Sequence, residues 1–314
     1  MDCLIKWRDG RVVEGARLES VYTVKCIKGS NPFLSAKQLR DLCFMKIFDC
    51  CIYLDEDFLL DLRFNILNNF VDYFVIVESN RTWQNNKKKF NFNVKNFEKF
   101  CHKIIYIKVE DMPDGENPWL RENFQRNCIT RGLLRANDDD LIIISDADEI
   151  PNPEKVINFK LNKKYGVFEQ RQYYYKLNLL NTTNPIWYGS KACFKKYLKS
   201  PQWLRELKIK QRPSWRIDKM NLNYSIQDGG WHFCNLKTPN QLLFKYKNLC
   251  EYKDNYAFIN SIDKKFLNKK TIEKNINNHK DIIGRKDIFV KEDINKNYPK
   301  YILNNLRKFN DWII

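Results

Sequence analysis

The sequence predicts an α/β protein with a mainly parallel sheet and a helical C-terminal region, and three observations carry this. Short β-branched runs alternate with segments whose apolar residues recur at helical spacing. The most apolar run, Leu141-Ile142-Ile143-Ile144, ends in Ser145-Asp146-Ala147-Asp148-Glu149-Ile150-Pro151, as a strand buried on both faces does when it delivers acids to a sheet edge. From about Pro239 onward, Leu242, Leu243, Tyr246 and Leu249 form a helical stripe among lysines and asparagines.

Taken in order, Lys46 to Leu54 reads as a short apolar strand and Asp55 to Asn69 as a helix, with Leu59, Leu60, Leu62, Ile66 and Leu67 on one side. Phe74-Val75-Ile76-Val77 is a buried strand ending in Glu78, and Lys103 to Val109 is another. A helix is predicted over Glu122 to Arg135, on Phe124, Cys128, Ile129, Leu133 and Leu134. The Leu141 strand follows and is expected to stop at Pro151, which has no N–H for a ladder. Beyond it, Tyr173-Tyr174-Tyr175 and Trp187-Tyr188 suggest strands lining a groove, and Gly229-Gly230 marks a tight backbone position before Trp231-His232-Phe233.

The chain has 314 residues, 43% hydrophobic and 14% aromatic, enough to bury a large core. Its ten cysteines show no C-x-x-C pair, which argues for reduced thiols over zinc or disulfide frameworks. The net charge is +17, and residues 236–314 hold 17 Lys and Arg against 9 Asp and Glu. That excess suits either a solvated surface or an anionic partner such as acidic lipid headgroups or a lipid diphosphate. No nucleic-acid motif accompanies it, so no nucleic-acid partner is expected. With no apolar run near the roughly 18 residues of a membrane span, the expected location is cytoplasmic, with peripheral contact at the inner membrane face.

Residues 1–44 read differently. The string GRVVEGARLESVYTVKCIKGSNPFLSA resembles a translated tRNA gene, with Gly29-Ser30-Asn31-Pro32 matching the T-arm sequence. The expected organisation is therefore a spurious extension over 1–44 with the start at Met45, a catalytic domain over 45–238, and a basic, mainly helical region over 239–314 packed on it.

Asp146 and Asp148 share a side if the strand stays extended, and hard carboxylates at that spacing suit a divalent cation. Glu149 points away or into the next turn and is kept as a catalytic candidate. His232, one of three histidines, can close the coordination sphere, because imidazole joins carboxylates on Mn²⁺ more readily than on Mg²⁺. Equally, a lone histidine among aromatics suits a hydrogen-bonded core. Arg126 and Asn127 are placed to reach phosphate oxygens and a sugar hydroxyl, and Glu78 to read a nucleoside. Trp187, Tyr188 and Trp231 are candidates for stacking on sugar faces, Trp231 on the donor and the other two on the acceptor.

These strings have a collective resemblance. Met45 to Asp55, FVIVES, WLRENFQRNCITRGL, DDDLIIISDADEIP, WYG, LRE and GGWHF, in that order over about residues 45–260, resemble glycosyltransferase family 17, the β-1,4-mannosyl-glycoprotein N-acetylglucosaminyltransferases. The resemblance implies a GT-A-like (Rossmann-type) fold, UDP-N-acetylglucosamine as donor, and a divalent metal, Mn²⁺ or Mg²⁺, at an Asp-x-Asp motif. It also implies inversion at the anomeric carbon. The Asp-x-Asp is then Asp146 and Asp148, and the Gly-Trp-His-Phe motif is Gly230 to Phe233. Cys234 stands where the family usually has Ser, a near-isosteric change expected to weaken a hydrogen bond rather than alter a ligand. The membrane anchor of Golgi members has no counterpart in the sequence, which points to a glycan or lipid-linked saccharide acceptor on the cytoplasmic side.

An inverting transferase needs a general base opposite the leaving group. Asp228, just before the double glycine, is the candidate, with Glu169 and Glu206 in reserve. The rival readings are a metal-dependent phosphoryl transferase or hydrolase, and a non-enzymatic basic module for nucleic acid or membrane surfaces. The first lacks the expected phosphate-binding loop, and the second leaves the Asp-x-Asp unexplained.

Overall fold

The computed structural model describes residues 6–8, 11–13, 45–209, 224–250 and 268–314. Lys6–Arg8 pairs antiparallel with Arg11–Val13. The expectation of a translated tRNA-like segment over 1–44 otherwise falls outside the described residues. Lys46–Ile314 is a compact unit of its own.

The frame of that unit is a ten-stranded mixed sheet. Strands β1 (Ile47–Tyr53), β2 (Tyr73–Ser79), β3 (Ile104–Val109) and β4 (Leu141–Asp146) are parallel, in the order β3-β2-β1-β4. Every residue of β1 is buried, which is why its sequence reads as an unbroken run and not as an alternation. Successive side chains still face opposite ways. Phe48, Cys50 and Ile52 join a core with Ile129 and Leu133, while Asp49 meets Arg63 of helix α1 (Asp57–Leu67) on the other face.

Helix α2 (Pro118–Asn127) begins earlier than its apolar periodicity suggests and ends earlier too, with a separate turn over Ile129–Gly132. The start is set by Asn117, whose side chain accepts the Trp119 N–H at 3.0 Å, and by Pro118 in the first turn.

After β4 come β5 (Glu149–Pro151), β6 (Tyr165–Tyr174), β7 (Leu179–Asn181) and β8 (Ile186–Phe194). Helix α3 (Pro201–Glu206), β9 (Ser225–Cys234), helices α4 (Pro239–Asn248) and α5 (Lys269–Asn277), and β10 (Phe289–Lys291) complete the part that concerns the site. β8 lies antiparallel between β4 and β6. β9 runs parallel to β6 and antiparallel to β5.

Three expectations change here. Pro151 does not end the acidic strand: β4 stops at Asp146, the chain turns at Ala147-Asp148, and Pro151 closes a second short strand against β9. Tyr173 and Tyr175 are core residues instead of groove lining, whereas Trp187 and Tyr188 do line a cavity. The C-terminal region holds helices but also β10, which adds to the sheet edge through β7. Among the described residues no helix is long and apolar enough to cross a membrane.

Candidate active site

The turn from β4 into β5 organises the site, and a buried arginine on α1 holds it from beneath. Arg63 makes a bidentate pair with Asp49, Nε to Oδ2 at 2.6 Å and Nη2 to Oδ1 at 2.5 Å. Its Nη1 donates to the carbonyls of Glu149 at 2.6 Å and Asp146 at 3.3 Å. Both partners of the pair are buried, and the geometry satisfies the charges that burial would otherwise penalise.

The turn sends its two aspartates into different surroundings, not onto one side of an extended strand. Asp146 accepts from Arg126 Nη2 at 3.1 Å on one oxygen and from Arg205 Nη2 at 2.7 Å on the other. Burial works against its ionisation, but the guanidiniums of Arg205 and Arg126 outweigh that and hold the carboxyl below its ordinary range. Asp148 faces His232 Nε2 from Oδ1 and Lys245 Nζ from Oδ2, each at 3.6 Å. Burial is again opposed, here by Lys245 and His232, and Asp148 is held well below the carboxylate range. Burial pushes the His232 imidazole down, yet Asp148 and then Cys234 prevail and raise it to about 10. His232 is 6% exposed, and its Nδ1 has no hydrogen-bond partner among the described residues.

Glu149 is 1% exposed and its carboxylate is fully engaged. It accepts from Arg205 at 2.5 Å, Trp187 Nε1 at 2.6 Å and the Asp146 N–H at 3.0 Å. As a correction to its catalytic candidacy, these donors make it the group that shapes the turn. Two glycines permit this packing. A Cβ at Gly189 would lie 2.0 Å from Gln170 Oε1 and 2.9 Å from the Glu149 carboxyl carbon. Gly230 has φ of +140°, and a Cβ there would lie 2.2 Å from the Ile150 carbonyl, where β9 meets β5.

Of two cavities nearby, the first opens on the turn and the second lies against Trp187 and Arg205, which donate to the turn's carboxylates. One, of about 230 Å³, is lined by Trp83, Trp119, Arg126, Asp146, Asp148 and Lys245, among others. The second, of about 650 Å³, is lined by Trp187, Tyr188, Lys191 and Arg205 with others. Burial, reinforced by the Arg205 guanidinium, pushes the Lys191 amine down to about 7.

Asp146, Asp148, Glu149, Arg126, His232 and Trp187 thus come together, and Tyr188 joins the second cavity. Four other expected residues do not reach the aspartates. Glu78 is wholly buried and takes the N–H groups of Asn91 and Phe92, the Tyr106 hydroxyl and Lys88, so it anchors a loop instead of reading a nucleoside. Asn127 spends its side-chain oxygen on the N–H of Gln202, tying α2 to α3. Trp231 is buried and donates to the Asn297 carbonyl at 2.9 Å. Asp228 is exposed, with φ of 51°, at a register break of β9, and lines neither cavity. The reserves fare similarly: Glu206 accepts from Gln202, and Glu169 stands opposite Tyr188 in the ladder.

Sequence reasoning missed Arg63, Arg205 and Lys245. The signal for Arg205 was the Leu204-Arg205-Glu206 string, whose arginine and not its glutamate reaches the turn. Lys245 gave none beyond its place on α4, a helix started by the Thr238 and Gln241 capping box.

The chain is similar to β-1,4-mannosyl-glycoprotein 4-β-N-acetylglucosaminyltransferase of Homo sapiens and of Rattus norvegicus. Each is 35% identical over 113 residues, 33% of this chain and 21% of the relative, so the match spans about a fifth of those relatives' length. Among solved structures it resembles glucosyl-3-phosphoglycerate synthase from Mycobacterium tuberculosis in complex with Mn²⁺, UDP-glucose and phosphoglyceric acid. That likeness has 12% identity over 72% of this chain and 87% of the other, with a TM-score of 0.34. A glycosyltransferase involved in glycosylation of the major capsid of PBCV-1 is 12% identical over 58% and 80%, with a TM-score of 0.29. The model of glycosyltransferase family 17 matches residues 34–309, a span that includes the parallel strands, the acidic turn and the helix bearing Lys245. With four adjacent parallel strands in its mixed sheet and a family match over most of its length, the chain belongs to glycosyltransferase family 17.

Proposed function

We propose that this chain is a metal-dependent inverting transferase that moves N-acetylglucosamine, or a related sugar, from a UDP-sugar to a hydroxyl of a glycan or lipid-linked saccharide. The observation that carries the reading is an acidic turn that lines one cavity and is hydrogen-bonded, through Trp187 and Arg205, to the lining of a second cavity of different chemistry. The smaller combines tryptophans with Arg126 and Lys245, a lining suited to a base and a diphosphate. The larger offers the exposed rings of Trp187 and Tyr188, suited to the faces of an acceptor sugar. The names of the relatives support the donor sugar, and the basic charge of residues 236–314 favours an anionic acceptor or surface.

The residues present fit a divalent cation, Mn²⁺ or Mg²⁺. Asp148 is ionised beside a buried imidazole whose Nδ1 lacks a partner, and these two would hold the ion, with Asp146 adjacent. When bound, it supplies Lewis-acid stabilisation of the departing diphosphate. Arg126 and Lys245 line the same cavity and add fixed positive charge there, while Arg205 keeps Asp146 and Glu149 oriented. The test is UDP release from UDP-N-acetylglucosamine by purified protein with and without Mn²⁺. Release that requires metal and disappears in Asp148→Ala is the expected result. No release from any UDP-sugar, with or without acceptor saccharides, sinks the proposal.

A further inference from the structure

We infer that Cys234 is a third donor at the Asp148–His232 centre, making it a sulfur-bearing site that selects a thiophilic divalent cation of the Zn²⁺ and Co²⁺ class. This rests on the metal-dependent reading above and names the kind of ion. One ligand atom from each of Asp148, His232 and Cys234 lies within 4.8 Å of the other two. Ligand bonds of roughly 2.0–2.3 Å set neighbouring donors on a tetrahedral ion about 3–4 Å apart, a spacing that small side-chain rotations reach from here.

The backbone holds the three donors in place. His232 and Cys234 are two apart on β9 and share a face of the sheet. Between them, the Phe233 N–H donates to the Asp148 carbonyl at 2.9 Å, pinning the acidic turn to the same strand. Lys245 faces Oδ2 of Asp148 and leaves Oδ1 on the imidazole side.

A second observation points to a ligand. Buried polar atoms are nearly always hydrogen-bonded, yet His232 Nδ1 is buried and has no partner among the described residues. The thiol of Cys234 therefore offers the site a ligand and not only a weak hydrogen bond. Sulfur moves the preference away from Mn²⁺, which favours oxygen donors, toward Zn²⁺. Binding releases two protons to solvent: the Cys234 S–H bond breaks as a sulfur lone pair forms the metal bond, and the His232 imidazolium, kept protonated by Asp148 in the metal-free protein, gives up an N–H proton to free the ligating nitrogen.

The experiment is a cobalt titration of the full chain after chelator treatment, read by absorbance. A sulfur-to-cobalt charge-transfer band in the near ultraviolet is expected, bleached by Zn²⁺, lost in both Cys234→Ser and Cys234→Ala, and retained in Cys101→Ser, whose thiol is exposed. Melting curves of the chelated variants establish that each is folded. Bound Co²⁺ without the band, or a band that survives in folded Cys234→Ser, overturns the sulfur assignment and leaves the metal-dependent reading standing. Failure of equilibrium dialysis to detect bound Co²⁺, Zn²⁺ or Mn²⁺ overturns both.

Discussion

The two sides of the acidic turn hold their carboxylates under opposite conditions. Toward α2 and α3, Asp146 has a guanidinium on each oxygen, and Arg205 continues to Glu149, which Trp187 also engages. Apart from Arg126 Nε, which has no partner, this side is closed by contacts at hydrogen-bond distance. Toward β9 and α4, Asp148 stands 3.6 Å from both His232 and Lys245, and the imidazole keeps an unpartnered nitrogen. The first side is a clamp whose charges already pair with one another. The second holds charged groups just beyond bonding distance, the arrangement of a site that a ligand completes.

The largest effect is expected where both sides share a support. Arg63→Met removes the donor to the carbonyls of Asp146 and Glu149 and leaves Asp49 buried without its partner. A loss of about 3–5 kcal/mol in denaturant unfolding is expected. A loss under about 1 kcal/mol would mean that the turn is held by other contacts.

Substituting the two aspartates separates the sides. Asp148→Asn is expected to lower UDP-releasing turnover by about 10²–10³-fold while shifting the melting temperature little. Asp146→Asn is expected to lower melting as well as turnover, because it leaves Arg126 and Arg205 facing each other without the carboxylate. If melting falls in Asp148→Asn and holds in Asp146→Asn, the comparison is inverted.

The smallest effect is a pair of opposed pH slopes in metal-free protein. Burial lowers the His232 imidazole and Asp148 more than reverses this, raising it from 6.5 to about 10. Its contribution to stability is complete below pH 6.5 and lost as pH rises toward 10. Lys191 is lowered from 10.5 to about 7, first by burial and then by Arg205. Burying it costs stability below pH 7, and the cost is relieved as pH rises toward 10.5. Relative to the unsubstituted protein, the melting temperature of His232→Gln should therefore rise between neutral and alkaline pH, and that of Lys191→Met should fall. Parallel profiles for the two variants would remove the distinction between the sides.

Much of the frame was legible because its strands are buried on both faces. Ile47–Tyr53, Tyr73–Ser79 and Leu141–Asp146 stand close to where their apolar runs predict, and the acids do lie at the carboxyl end of the central strand. Helix α2 was displaced because its cap, Asn117-Pro118, lies outside the apolar period that predicted it. Glu78, Asn127 and Trp231 stand away from the aspartates for a different reason. Residue type shows what a side chain can bond, and each of these found a structural partner first.

By itself, the sequence determined the α/β class, the acids at the carboxyl end of the central strand and the family resemblance, because periodicity and short motifs are local properties of the chain. Tertiary structure alone decided which partner each acid receives. Arg205 is 59 residues from Asp146, and Lys245 reaches Asp148 from a helix beyond β9. Such contacts leave no periodic trace, since they arise where strands and helices distant in sequence are packed against the same sheet edge.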